Sequence, residues 1–246
     1  MSQERTEAVV LRGVDFSETS RIVTLLTPDR GRFACIAKGA RRKSSPLAAI
    51  LDTLNRVEIV FYWKDGRDVQ PLGEATLLDG FAPIKHHLEK STYAAFPLEV
   101  ASKVAHENEP SQHLYVTLVR GFEGLANWPG DVQAHACWQV IQLLSVAGFE
   151  PTLDACAVCG GAVSEGDTFR EGVPFSYEGG VTCPACPNDR RLTPEEYACL
   201  VALVRSRETC PSTKDVKEVY RALCRYVVRQ LETDFRSTRV INQMFR

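Results

Sequence analysis

Apolar and polar positions alternate along the first 80 residues. Thr6–Val14, Arg21–Leu26 and Arg32–Ala37 are short runs rich in Val, Ile, Thr and Phe, the composition and period of half-buried strands. The turn Thr27-Pro28-Asp29-Arg30-Gly31 separates the second run from the third, with Pro fixing φ and Gly accepting φ > 0. A polar link from Lys38 to Pro46 leads to a short apolar piece, Leu47–Leu51. Two more runs, Asn55–Trp63 and Asp68–Leu78, flank the tight turn Lys64-Asp65-Gly66-Arg67. Five strands so punctuated predict a small closed barrel over residues 1–80. An OB-fold, with a nucleic-acid-binding face, suits the pattern, and an SH3-like barrel suits it nearly as well.

From about Ile84 the period changes from two to 3.6, predicting helices over Ile84–Ala105, Ser111–Leu125 and Asp131–Gly148. Asp131 is placed as N-cap of the third and Gly148 lies just past its end. Val132, Ala136, Val140, Leu143, Leu144 and Ala147 fall on one face of it, a core stripe. Residues 150–191 are irregular and rich in Gly, Pro and Cys. Thr193-Pro194-Glu195-Glu196 then reads as a capping box with Pro at the first helical position, opening a helix to about Arg205. Ser212–Leu231 is the last predicted helix. The segments thus divide into a barrel at 1–80, helices at 81–149 and 192–246, and a cysteine-rich module at 150–191.

With 246 residues and 44% apolar content, the chain is long enough for two domains, or one domain with a module attached. No apolar run approaches the roughly 20 residues of a membrane helix. The polar start, Met1 to Glu7, lacks the apolar core of an export signal, so a cytoplasmic protein with no membrane partner is expected. The net charge is −2, but its distribution is uneven: residues 1–43 carry +4, residues 81–204 carry −8 and residues 205–246 carry +5. Charges act locally because salt screens them beyond about 8–10 Å, so a near-neutral total leaves room for a basic surface.

There are nine cysteines, expected to be reduced in the cytoplasm. Cys35, Cys137, Cys199, Cys210 and Cys224 are scattered and read as small buried hydrophobes. The other four form two C-x2-C knuckles, Cys156/Cys159 and Cys183/Cys186, with 23 residues between them. Each knuckle puts two thiolates on one side of a metal, and two knuckles close the tetrahedron that Zn²⁺ prefers. Gly160-Gly161 and Gly179-Gly180 flank the pairs and let backbone amides approach the sulfurs, while Thr168–Tyr177 is suited to a β-hairpin, giving a zinc ribbon. Four protein ligands leave no open position, so one structural zinc ion is expected. Redox chemistry by either pair would need a thioredoxin-like βαβ setting, which is absent. The segment is acidic, so it is expected to hold the fold rather than touch DNA.

Arg12, Arg21, Arg30 and Arg32 punctuate the early strands, and Lys38-Gly39-Ala40-Arg41-Arg42-Lys43 places four cations in six residues, with Ser44-Ser45 following. Such a loop can track a phosphate backbone, releasing a counterion per neutralised phosphate. Phe16, Phe33, Phe61, Tyr62 and Trp63 offer flat faces for bases. The same pattern also describes a solvated charged surface over core aromatics.

Taken together, Ala8-Val9-Val10-Leu11-Arg12, Ser17-Glu18-Thr19-Ser20-Arg21-Ile22-Val23-Thr24-Leu25-Leu26-Thr27-Pro28, Gly31-Arg32 and Ala37-Lys38-Gly39-Ala40-Arg41-Arg42 resemble the start of the bacterial RecO recombination-mediator family. The likeness continues through Ala147-Gly148-Phe149-Glu150-Pro151, both knuckles, and Phe175-Ser176 with Gly179-Gly180, and is weaker at Arg236-Ser237. It implies an α+β protein: an N-terminal OB-fold, an all-α helical domain and an inserted four-cysteine zinc ribbon-like module. It implies binding of single- and double-stranded DNA, annealing of complementary strands, and work with RecR and single-strand-binding protein to load RecA, in the cytoplasm at the nucleoid. Arg12, Arg21, Arg32, Lys38, Arg41, Arg42 and Lys43 are the candidate DNA-binding residues, and Cys156, Cys159, Cys183 and Cys186 the metal ligands.

No enzymatic residues are expected. There is no G-x-x-x-x-G-K-[ST] loop to cradle phosphates. His86, His87, His106, His113 and His135 are isolated or surface-like, and the paired acids Glu195-Glu196 are explained by capping. Two other classes fit the motifs: a zinc-ribbon adaptor that binds proteins alone, and a metallohydrolase, which needs an open coordination position.

Overall fold

The computed structural model describes residues 2–163, 172–214 and 216–244. The chain packs as two compact units, residues 1–94 with 98–127, and residues 95–97 with 128–246. This division by packing is not the division by element type drawn from the sequence, because the helices up to residue 127 pack with the barrel.

In the first unit β1 (Ser2–Asp15), β2 (Arg21–Thr27), β3 (Gly31–Ala37), β4 (Arg56–Trp63) and β5 (Val69–Asp79) close a barrel in the order β1-β2-β3-β5-β4. β1 pairs along Ser2–Val9 with β4 and along Val9–Asp15 with β2, all antiparallel. β3 and β5 meet in parallel, and only Ala34–Ile36 face Val69–Pro71. This is the OB-type closure, and it separates the two barrels the pattern allowed. Alternate residues of β3 point inward, and Phe33, Cys35 and Ala37 join Val23, Leu25, Ile59 and Phe61 in the core. Three of the five aromatics are therefore core residues, which corrects the stacking expectation for them. Phe33 lies 4.9 Å from Phe61 and 5.6 Å from Trp63, ring to ring, inside the barrel.

Leu47–Leu51 becomes a one-turn helix, α1 (Leu47–Ile50), whose Leu47 and Ile50 pack against the barrel core. The single helix expected over 84–105 is two, α2 (Ala82–Lys85) and α3 (Leu88–Val104). His87 breaks the run: its backbone is extended and its Nδ1 accepts a bond from the Lys90 N–H, capping α3. Hydrophobic spacing does not register a two-residue break of this kind. α4 (Gln112–Ala126) is fastened to β1 through Tyr115, whose hydroxyl donates to Glu7 Oε2 at 2.9 Å. Arg56 pairs with the same carboxylate at 2.7 Å. That guanidinium first, then the Tyr115 hydroxyl, hold the Glu7 carboxyl below its ordinary value.

The second unit holds α5 (Val132–Val146), α6 (Pro194–Arg205), α7 (Val216–Leu231), α8 (Arg236–Met244) and a sheet in the order β7-β6-β8. Its strands are β6 (Val173–Ser176), β7 (Gly180–Val181) and β8 (Arg190–Leu192). The Asp131 carboxylate caps α5 by accepting from the Ala134 N–H at 2.9 Å. α5 is wrapped rather than one-sided: His135, Gln139 and Gln142 are buried along with its apolar stripe. His135, expected among isolated or surface-like histidines, lies between Trp128 and Trp138. Thr193 and Glu196 form the expected capping box of α6. α7 starts at Val216 rather than Ser212, and α8 has no counterpart among the expected helices. The five scattered cysteines are buried, and burial pushes the Cys210 and Cys224 thiols up to about 12, so they stay protonated and apolar.

Candidate nucleic-acid interface and metal centre

The two knuckles converge. The sulfurs of Cys156, Cys159, Cys183 and Cys186 all lie within 4.8 Å of one another. Cys159 Sγ and Cys183 Sγ are 3.9 Å apart, against about 3.8 Å for the edge of a tetrahedron with 2.3 Å metal–sulfur bonds. Each knuckle is a closed turn: the Gly160 N–H donates to Cys156 O at 2.9 Å, and the Cys186 N–H to Cys183 O at 3.0 Å. The first knuckle is stitched to β7 by Ala157 N–H to Val181 O at 2.8 Å. Gly180 sits at φ +123°, and a methyl there would run into Thr152 O, so the register needs glycine.

The backbone N–H groups of Cys159 and Cys183 point at Cys156 and hold its thiol at about 6. Cys186 is pushed up to about 12, chiefly by its contact with the Cys183 thiol. Four sulfurs this close repel one another as thiolates until a cation sits among them. The cluster can hold one metal ion, and four ligands complete a tetrahedron without water. Part of the hairpin expected at Thr168–Tyr177 lies outside the described residues, namely 168–171. From Val173 onward β6 pairs with β7 and also with β8, so the module's sheet has three strands.

Five of the seven candidate DNA-binding residues gather at one rim of the barrel, and a sixth, Arg12, lies three positions in from it, opposite Thr24. Arg12 is on the last part of β1, Arg21 opens β2 opposite Asp15 and Ala37, and Lys38, Arg41, Arg42 and Lys43 follow the end of β3. Among the described residues Arg12, Arg21, Lys38, Arg42 and Lys43 form no ion pair. Arg41 is different. Its Nε meets Asp15 at 3.1 Å, its Nη1 donates to Ser17 O at 2.5 Å, and its own N–H donates to Thr19 O. It fastens the basic loop to the loop between β1 and β2. Arg21 lies flat across Gly13, where a methyl would stand 2.5 Å from Nε, and that Nε is buried without a hydrogen-bond partner.

Arg32 is set apart. It is the second residue of β3, five positions from Ala37 at the rim, about 16 Å at roughly 3.3 Å per residue. Its guanidinium pairs with Glu107 at 2.9 Å. That partner lies 75 positions away, a distance at which the sequence gives no signal. Sequence reading also passed over the outer face of the β1–β2–β3 sheet. Val14, Ile22 and Ile36 are direct neighbours across the three strands there, on the side away from the core. The available signal was apolar residues at consecutive positions, Ile22-Val23 and Cys35-Ile36, where strict alternation would put a polar one.

Residues 1–81 match the family described as recombination protein O, N terminal, and residues 85–239 match recombination protein O, C terminal. Proteins named DNA repair protein RecO are similar along most of the chain. That of Nocardioides sp. is 31% identical over 243 residues, 95% of this chain and 96% of its own. The protein of Anaeromyxobacter dehalogenans is 31% identical over 210 residues, 85% and 80%. The protein of Rhodopirellula baltica is 33% identical over 213 residues, 85% and 77%. No helix among the described residues is long and apolar enough to cross a membrane.

Proposed function

The chain belongs to the RecO family of DNA repair proteins, and from that membership we propose that it acts on DNA without enzymatic chemistry. It binds single- and double-stranded DNA through the barrel, residues 1–80, and anneals complementary strands without nucleotide hydrolysis. With RecR it helps load RecA onto strands coated with single-strand-binding protein, at the nucleoid. The observation that carries this reading is the gathering of Arg21, Lys38, Arg42 and Lys43 at one rim, with Arg12 near it on β1, none of them in an ion pair among the described residues. Phosphates fit such a rim because each contact releases a condensed counterion. Arg41 serves by positioning, since Asp15 already neutralises much of its charge. Arg32 is the weakest of the seven candidates for the same reason.

Annealing is limited by repulsion between two polyanions. A surface that neutralises phosphates and leaves base edges free lowers that barrier without fuel. The metal in the four-thiolate site is proposed to be one Zn²⁺ with a structural role, because thiolates and tetrahedral geometry select it. The test is an annealing assay on complementary strands, naked and coated with single-strand-binding protein. Faster annealing of both is expected. No acceleration of naked strands, together with no binding in a titration of labelled strand, would favour a protein-only adaptor.

A further inference from the structure

The outer face of an antiparallel sheet normally carries polar residues, yet this one bears an apolar row in the middle of the cationic rim. Val14, Ile22 and Ile36 stand side by side across β1, β2 and β3. Val14 is 45% exposed, Ile22 and Ile36 are half-buried, and none of the three belongs to the barrel core. Phe16 continues the row at its open end and is 63% exposed, the one exposed large aromatic among the described residues. It is not a frayed side chain on a loose loop. The Phe16 N–H donates to Ser20 O at 3.1 Å, the Ser20 N–H donates to Ser17 Oγ at 3.1 Å, and Arg41 grips Ser17 O from the neighbouring loop. The tight loop holds the ring out in water. Arg12 flanks the row along β1 and Lys38 follows Ile36 and Ala37 at the end of β3.

We propose that this face is a stacking platform for unpaired bases of single-stranded DNA, with Phe16 as its aromatic seat and Arg12 and Lys38 as the phosphate contacts beside it. The inference rests on the reading that the rim binds DNA, and it specifies which form the rim selects. Exposed apolar surface framed by cations matches a single strand, which presents flat bases and phosphates together. A duplex buries its base faces and offers phosphates alone. A protein partner would find the same apolar row, but the unpaired cations around it favour a polyanion.

The test separates the two readings. Phe16→Ala, Phe16→Leu and Phe16→Trp are compared with wild type and with Arg42→Ala/Lys43→Ala, on labelled oligo(dT) and on duplex of matched length. Base–aromatic stacking predicts oligo(dT) binding about tenfold weaker in Phe16→Ala. Duplex affinity should stay within about twofold, since no phosphate contact is removed. Phe16→Leu keeps an apolar loop tip without a flat ring and should be as weak as Phe16→Ala. Phe16→Trp should restore binding, with its added fluorescence quenched by oligo(dT). The proposal is overturned, with the DNA reading intact, if Phe16→Ala leaves oligo(dT) affinity unchanged or weakens strand and duplex equally while the double variant loses both. It falls with the DNA reading if wild type binds neither, which would leave the row to a protein.

Discussion

Removing Arg42 and Lys43 together takes two unpaired, exposed charges from the loop and breaks no ion pair. If each touches one phosphate, the slope of log K against log salt should fall by about 0.7 per contact on single strands, so by about 1.4 for both. Between 50 and 200 mM salt the wild type should therefore lose about sevenfold more affinity than the double variant. Arg32→Ala is the internal control. It stands about 16 Å along β3 from the rim, beyond the Debye length of about 8–10 Å, and it is paired with Glu107. It should leave the slope where it was and cost only the small stability of a half-exposed pair. Anisotropy titrations of labelled oligo(dT) at four salt concentrations measure all three slopes. An unchanged slope in the double variant, or an equal fall in Arg32→Ala, would show that phosphates are not held at this rim.

Three further outcomes are expected. Purified protein should carry one zinc per chain by elemental analysis; Cys159→Ser should lose the metal and destabilise the second unit, because metal binding energy is folding energy there, and metal-free wild type would refute the assignment. Gly13→Ala should weaken DNA binding with the fold retained, since the added methyl displaces Arg21 from its seat; unaltered affinity would mean the seat is immaterial. The Glu7 carboxyl, held below its ordinary 4.5, contributes stability that is present above that pH and is lost as pH falls through its lowered folded value. Glu7→Gln should thus cost about 1 kcal/mol or less at pH 7, given its exposure, and flatten the decline of Tm below pH 5; a parallel decline in both proteins would contradict the pairing with Arg56.

Much of this was legible in the chain. Strand runs, the α6 capping box, the two cysteine knuckles and the basic loop are local features, written in adjacent residues. What escaped depends on long-range partners or on which side of a sheet a residue faces. Arg32 looked like Arg21 until Glu107 stood beside it. Phe33, Phe61 and Trp63 looked like Phe16 until the barrel closed around them. The break at His87 lies in a backbone turn, not in the hydrophobic period. α8 is short and strongly polar, so its apolar face left little trace.

The barrel's closure has a mechanical consequence. Where β3 meets β5 the ladder is short, parallel and includes Pro71, which has no N–H to give. Every other seam of the ring is a longer antiparallel ladder. Breathing should start at that weak link and spread to the Lys64–Asp68 turn, peeling β5 away first. The strands beneath the cationic rim are β1, β2 and β3, joined to one another by the strong seams. If the rim holds DNA as proposed, a pull from the bound strand would fall on the part of the ring that opens last, and the grip would hold while the far side of the barrel flexes.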